Sequence, residues 1–222
     1  LHWPAPFYSV LIRVTPENPA SPTDFVGDLA LAVPEPTEGG KKYTFKLRPN
    51  AKFWDGQPVT AHDVVASFNK IIFPPEGVRS ARKGFYIMVE KVTAADDTTV
   101  VFELKYPSSA FIPALANPYN YIYSAKKLAQ DIRWYEKNIL GSGAFIFVKH
   151  ERGKYLDGKR NPNYYREGLP YLDGFHAILA KQQSQRERAI REGTAMIEFR
   201  GFPPRSRDIL RRALGDQITV QE

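Results

Sequence analysis

The chain has 222 residues, 43% of them hydrophobic and 13% aromatic, with a net charge of +7, which is enough apolar material for one large domain or two small ones around a shared core. It contains no cysteine, which excludes disulfide frameworks, thiol nucleophiles and thiolate metal sites. No run has the length needed to cross a bilayer, and the start at Leu1-His2-Trp3 lacks both an initiator Met and the basic and apolar regions of a signal peptide. Two readings of that start stay open, a removed leader and a beginning inside a gene.

The positive charge raises an anionic partner, and its distribution decides against a dedicated patch. Basic residues thicken only at 185–191 and 205–212, and both stretches carry acids, Glu187, Glu192 and Asp208. Mixed signs at this density are those of solvated helix faces.

In chain order, residues 7–14 predict a strand and the Pro- and Asn-rich residues 15–22 a loop. Residues 28–33 are a short apolar segment and 34–40 a turn, after which Tyr43-Thr44-Phe45-Lys46-Leu47 alternates with the period of a strand. Asp55-Gly56, following Phe53-Trp54, is a tight-turn dipeptide. Thr60 is placed to cap a helix starting at Ala61, and Asp63 to reach back in a capping box and meet the positive end of the helix dipole. Val64, Val65, Phe68 and Ile71 recur at helical spacing, and Pro74-Pro75 ends the helix. Residues 89–104 predict a hairpin turning at Asp96-Asp97, with Val100, Phe102 and Leu104 alternating. Residues 108–116 and 124–131 predict short helices, 134–140 a third ended by Gly141, and 144–148 a strand leaving a Gly-Ser-Gly turn.

From Tyr171 the texture becomes strand 174–179, helix 185–192 closed by Gly193, strand 195–199, helix 206–214 closed by Gly215, and strand 218–221. That alternation predicts a mixed or parallel sheet covered by helices, whereas the middle of the chain is α+β. The fold class is therefore α/β, an α+β subdomain with a mixed-sheet subdomain. A strand at the very end predicts a sheet that continues in further sequence.

Tyr43-Thr44-Phe45-Lys46-Leu47-Arg48, then Lys52-Phe53-Trp54-Asp55-Gly56-Gln57-Pro58-Val59-Thr60-Ala61-His62-Asp63-Val64, closely resembles the signature block of the family 5 extracellular solute-binding proteins. That family includes oligopeptide-, dipeptide- and nickel-binding proteins. Asp97-Thr98-Thr99-Val100-Val101-Phe102-Glu103-Leu104 resembles its hairpin, and Gly141-Ser142-Gly143-Ala144-Phe145 its Gly-Thr-Gly-Pro-Tyr segment. Asn161-Pro162-Asn163-Tyr164-Tyr165 with Leu169-Pro170-Tyr171-Leu172-Asp173 resembles the next block, and residues 188–197 its following helix and strand. The chain departs at Leu29-Ala30-Leu31-Ala32-Val33, where Leu-Ala-Glu-Ser-Trp is usual, and at Ala144, which replaces Pro. The resemblance implies a periplasmic binding protein-like fold, type II and peptide-binding class, with this chain as an incomplete first lobe. Residues 1–50 and 141–222 would be two parts of a mixed-sheet subdomain and 51–140 an inserted α+β subdomain.

Each motif also has a plain reading. Turn and cap chemistry accounts for Asp55, Gly56, Thr60 and Asp63, so the two carboxylates are not a catalytic pair. The Gly141-Ser142-Gly143 turn has no Lys and precedes a strand, unlike a phosphate loop. His2, His62, His150 and His176 are dispersed, with no pair at metal-ligand spacing, and Ser142 lacks a nucleophile-elbow context. No catalytic residue, metal or cofactor is expected. Pro118-Tyr119-Asn120-Tyr121-Ile122-Tyr123 carries two readings, a half-buried strand with Tyr on both faces and a cleft wall where rings and amides hold a peptide-like ligand. The resemblance puts family clefts near the first strand and after the capped helix. The candidate ligand-binding residues are accordingly Trp3, Tyr8, Arg82, Tyr86, Asn117, Tyr119, Asn120 and Tyr121.

By resemblance, the function is that of the solute-binding component of an ABC importer. It would capture a peptide or other small solute in the periplasm, or lipid-anchored at a Gram-positive surface, and present it to permease membrane subunits. A monomer without nucleic-acid partners and without catalysis is expected, closing like a hinge on its ligand. Two rival classes are a basic nucleic-acid-binding module, which would show steep salt dependence, and a carboxylate-based hydrolase, which would need paired carboxylates facing a cleft.

Overall fold

The computed structural model describes residues 4–15, 23–199 and 201–220. Trp3, His2, the loop residues 16–22 and Gln221 lie outside that range. The chain divides into two compact units, one made of Leu1–Lys149 with Asp157–Phe175 and the other of His150–Leu156 with His176–Glu222.

In the larger unit, a three-stranded antiparallel sheet is built from β3 (Lys42–Lys46), β4 (Val89–Asp96) and β5 (Thr99–Leu104), in the order β3-β5-β4. Here β1 (Ile12–Val14) and β2 (Phe25–Gly27) form a separate antiparallel pair. In β3 the alternation read from sequence is realised, since Tyr43 and Phe45 are buried and sit opposite Phe102 and Val100 of β5. The hairpin of β4 and β5 turns where expected, with the Asp96 carboxylate accepting the Thr98 N–H at 2.8 Å. Helix α1 (Ala61–Ile72) packs on β4 and β5 and buries Val64, Phe68 and Ile71, with Val65 half-buried. Phe102 is the hub of the core. Phe45, Phe68 and Phe111 meet its ring at 5.7, 5.1 and 5.4 Å, all edge-on, the arrangement that sets the positive ring edge against a negative face.

The capping box exists and reaches further than its own helix. The Asp63 carboxylate accepts the Thr60 N–H at 2.7 Å and the Thr60 hydroxyl at 3.0 Å, while its other oxygen accepts the N–H of Ala125 at 2.7 Å. Ala125 is the first residue of α3 (Ala125–Gln130), so one buried carboxylate serves the starts of two helices. Burial pushes the Asp63 carboxyl above its ordinary range, and the hydrogen bonds from Ala125 and Thr60 oppose that rise.

Several elements differ from expectation. The strand over 7–14 is reduced to β1, because residues 5–7 turn in a 3-10 helix and 7–11 spend their carbonyls irregularly. The Phe7 carbonyl accepts from Gly143, that of Ser9 from Ile122, that of Val10 from Leu29, and that of Leu11 from both Asp28 and Ala30. The helix over 134–140 is only a 3-10 turn at Trp134–Glu136, and that over 108–116 shortens to α2 (Phe111–Leu115). The strand over 144–148 becomes β6 (Phe145–Glu151), followed by β7 (Tyr155–Arg160), which the sequence reading lacked.

These two strands and β8 (Gly174–Ile178) form a sheet in the order β6-β7-β8. Gly158 of β7 seats the Phe175 ring, since a Cβ there would lie 2.4 Å from it.

In the smaller unit, α4 (Gln183–Arg191) packs on α5 (Pro204–Leu214). Gln183 and Ser206 share a 2.6 Å bond, and the Ser206 hydroxyl also donates to Glu187. The strands predicted at 195–199 and 218–221 are not formed over 195–199 and 218–220. Met196 and Phe199 are 93% and 89% exposed, so an apolar run that reads as a buried strand has no sheet edge to join among the described residues.

Residues 141–143 lie directly on the N-terminal segment. A Cβ at Gly141 would sit 1.8 Å from the Phe7 carbonyl oxygen, and one at Gly143 would sit 2.5 Å from that of Pro6. Bonds close the seam, Gly143 N–H to Phe7 O at 3.0 Å, Trp54 N–H to Gly141 O at 3.0 Å, and the Ser9 hydroxyl to Ser142 O at 3.1 Å. Tyr165 in turn donates to the Ser9 hydroxyl at 3.1 Å, and the Asn161 amide to Gly143 O at 2.9 Å.

Gly141→Ala should destabilise the full-length protein by ~3 kcal/mol, as an overpacked backbone contact does, with Gly84→Ala, where added carbon meets nothing within 4 Å, as the near-neutral control in the same urea titration. Asp63→Asn should cost about 2 kcal/mol, because an amide can offer an acceptor to only one of the two backbone donors it faces; an unchanged denaturation midpoint would remove the shared-cap assignment.

Candidate ligand-binding site

The seam at 141–143 fixes Tyr8 among other tyrosines. The Tyr8 ring stacks on Tyr121 at 4.9 Å and meets Tyr123 and Tyr135 edge-on at 5.4 and 6.2 Å. Tyr123 stacks on Tyr135 at 4.1 Å, Tyr119 meets Tyr121 at 6.4 Å, and Trp134 meets Tyr135 at 4.8 Å. The segment 117–124 forms no regular strand. It starts with an Asx turn, the Asn117 side chain accepting the Tyr119 N–H at 3.0 Å, and is tied to Ser9 by the Ile122 N–H at 3.0 Å.

The sequence-derived candidates separate by what their polar atoms do. Tyr86 and Asn120, 1% and 0% exposed, are bonded to each other at 2.7 Å; the Tyr86 hydroxyl also reaches Ala114 O at 2.7 Å, and the Asn120 amide reaches Ala114 O and Leu115 O at 2.9 and 3.0 Å. This pins 117–122 to α2 and spends their donors internally. Asn117 is occupied in its turn. Of the other candidates, Tyr8, Tyr119 and Tyr121 are neighbouring rings, with the Tyr8 phenol engaged by a backbone hydrogen bond at Leu140, and the charge of Arg82 favours the ionised forms of Tyr86, Tyr121 and Tyr123. Trp3 lies outside the described residues.

Tyr135 and Tyr123 belong to the cluster but were not among the candidates. Tyr135 reads from sequence as part of a helix, and its hydroxyl accepts the Ser124 N–H at 2.8 Å, bracing α3. Lys70 of α1 was also missed. Its ammonium donates to Ile132 O at 2.6 Å and lies 5.6 Å over the Tyr123 ring, and burial lowers its pKa.

Burial dominates the electrostatics here. It raises the Tyr121 and Tyr86 phenols to about 12 and pushes Tyr8, Tyr123 and Tyr135 up as well, with the charge of Arg82 and, for Tyr8, a backbone hydrogen bond at Leu140 working the other way. All five are neutral phenols at physiological pH. Among the described residues no three His, Cys, Asp or Glu side chains gather as a metal site, and no helix is long and apolar enough to cross a membrane. The arrangement is a cluster of largely buried, mutually packed rings whose phenols are neutral.

The family model described as "Bacterial extracellular solute-binding proteins, family 5 Middle" matches residues 24–219. The probable D,D-dipeptide-binding periplasmic protein DdpA of Escherichia coli strain K12 is 34% identical over 164 residues, 72% of this chain and 31% of that protein. The glutathione-binding protein GsiB of Pectobacterium atrosepticum is 30% identical over 72% of this chain and 31% of its own length. Among solved structures, the oligopeptide-binding protein AppA of Bacillus subtilis with a nonapeptide superposes with a TM-score of 0.80 at 25% identity, covering 94% of this chain and 40% of that one. The chain therefore spans about a third of the length of the curated relatives it matches.

Replacing Tyr121 with Phe should leave the ultraviolet tyrosinate titration of the folded protein unchanged up to pH ~10.5, where an ordinary tyrosine is already mostly ionised. Loss of a normally titrating phenol would show that Tyr121 is solvated.

Proposed function

The chain belongs to the bacterial extracellular solute-binding proteins of family 5, and from that membership we propose that it forms part of a lobe of the solute-binding component of an ABC importer. The protein captures a peptide or related small solute in the periplasm and presents it to the membrane permease, acting as a monomer. It works by binding without turnover. A ligand drives closure of two lobes only through its greater affinity for the closed state.

The observation that carries this reading is the match of residues 24–219 to the family model, and the cluster of rings around Tyr8 is compatible with it. Peptide chemistry suits it, since amides stack on rings and accept from phenols. The relatives named for dipeptide, glutathione and oligopeptide binding support the same ligand class. The basic helices argue less for nucleic acid than their count suggests, because Arg188 pairs with Glu192 at 2.8 Å, Arg207 with Asp208 at 2.9 Å and Arg186 with Glu198 at 3.1 Å.

One lobe leaves one side of a ligand in water, so the chain by itself should bind far more weakly than the full-length protein. Mass spectrometry of solutes released from natively purified full-length protein should find a peptide-class ligand. Calorimetric titration of that solute should then give a much larger dissociation constant for residues 1–222. Equal constants would show that these residues already make the complete site, and full-length protein that carries and binds no solute would overturn the reading.

A further inference from the structure

Between α1 and β4 the chain makes a 3-10 turn at Lys83–Tyr86. Its last residue, Tyr86, is 1% exposed, and its hydroxyl donates to Ala114 O and accepts from the Asn120 amide, both at 2.7 Å. Successive side chains leave a 3-10 turn about 120° apart, so a Tyr86 fastened inside sends its two neighbours elsewhere. Phe85 and Ile87 are 57% and 64% exposed. The ladder of β4 and β5 adds a third apolar side chain, because Val89 pairs with Leu104 and the Lys105 N–H donates to Met88 O at 2.8 Å. That brings Tyr106, 46% exposed, alongside Ile87. One exposed apolar residue means little, whereas three gathered by one turn and one ladder make a patch.

Cations frame it. Arg79, Lys83 and Lys105 are exposed, and among the described residues no acid pairs with any of them. Glu103, two positions before Lys105, is held by Lys91 at 3.1 Å. Within residues 76–91 the acids are Glu76 and Glu90, against Arg79, Arg82, Lys83 and Lys91. The patch thus joins apolar tips to a local excess of positive charge. Three apolar side chains are too few for a stable protein–protein contact, which takes about 20 residues a side. They suffice for reversible attachment to a bilayer, where shallow burial of apolar tips and attraction of lysines to anionic headgroups act together.

We propose that the turn at Lys83–Tyr86 and the residues that follow β5 form a docking surface for an anionic phospholipid bilayer. Phe85, Ile87 and Tyr106 enter the boundary between headgroups and acyl chains, and Lys83 and Lys105 meet the lipid phosphates. This surface goes beyond the solute-binding reading and does not depend on which solute is bound.

The test mixes unlipidated full-length protein with vesicles of phosphatidylcholine alone or with added phosphatidylglycerol, and reads the bound fraction by sedimentation at low and high salt. Wild type should partition onto the phosphatidylglycerol vesicles, bind the neutral ones weakly, and be released by salt. Lys83→Gln and Lys105→Gln should each weaken partition about fivefold, the loss expected for one cation at an anionic surface. Phe85→Ser combined with Ile87→Ser should abolish it. Lys159→Gln, which removes an exposed cation from β7, should change little. The lysine variants alter only exposed side chains, so they decide the matter even where the apolar double variant fails to fold. Absence of wild-type partition, equal partition onto both vesicles, lysine variants that bind like wild type, or an equal loss in Lys159→Gln each overturns the bilayer surface, and each leaves the solute-binding reading standing.

Discussion

Two positions without side chains let residues 141–143 rest on the backbone of Pro6 and Phe7, and the arrangement of the tyrosine wall depends on that contact. Carbonyls and amides that would be strand partners elsewhere are spent across this seam, from Phe7, Ser9, Trp54 and Gly141 to Gly143. With the segment fixed, Tyr8 has one place to go, against Tyr121 and Tyr123. The seam thus converts a loss of regular hydrogen bonding into a fixed side-chain direction. Buried backbone groups must be paired somewhere, and pairing them irregularly is what aims a residue.

The core and the wall are joined by hydrogen bonds as much as by packing. Phe102 gathers Phe45, Phe68 and Phe111, and Phe68 touches Tyr86 at 6.0 Å. Tyr86 then passes the connection to Asn120, whose amide holds the backbone between Tyr119 and Tyr121. Burial of those two polar side chains is tolerable because their donors find partners. Residues that read from sequence as ligand contacts serve here to hold their neighbours rigid, which is what a binding surface needs if it is to avoid an ordering cost when occupied.

What the sequence made legible was what local physics decides. Helix α1 was readable because its cap, its apolar spacing and its proline stop all lie within fifteen or so residues of each other, a range over which propensity and pattern agree. The hairpin of β4 and β5 was readable for the same reason. Residues 7–14 and 195–199 misled because a strand is defined by a partner, and the partner is far away in sequence or not among the described residues. The converse error is β7, whose Tyr155-Leu156-Asp157-Gly158-Lys159-Arg160 carries too much charge and a glycine to look like a strand yet finds β6 and β8 on either side. At the site, ring positions could be guessed from the spacing of Tyr119, Tyr121 and Tyr123, but pattern says nothing about which polar atoms are already spent. That the Tyr121 hydroxyl and the Asn120 Oδ1 are buried without partners among the described residues is a property of the fold, not of the pattern.

The shared carboxylate at Asp63 also ties a short helix to a distant one. Helix α3 is six residues long and Ser124 gives it no side-chain cap, so its first amide relies on a partner 62 positions earlier in the chain. A helix so short is not stable alone. Its formation waits on closure of a long loop, whose entropic cost falls before the reward arrives. Helix α1 carries its own cap, whereas the first amide of α3 is satisfied only when the α1 turn is docked against it. Loss of that docking would leave the Ala125 amide unpaired while the rings gathered on Phe102 keep their contacts, so the start of α3 is tied to the helix α1 turn and not to the sheet.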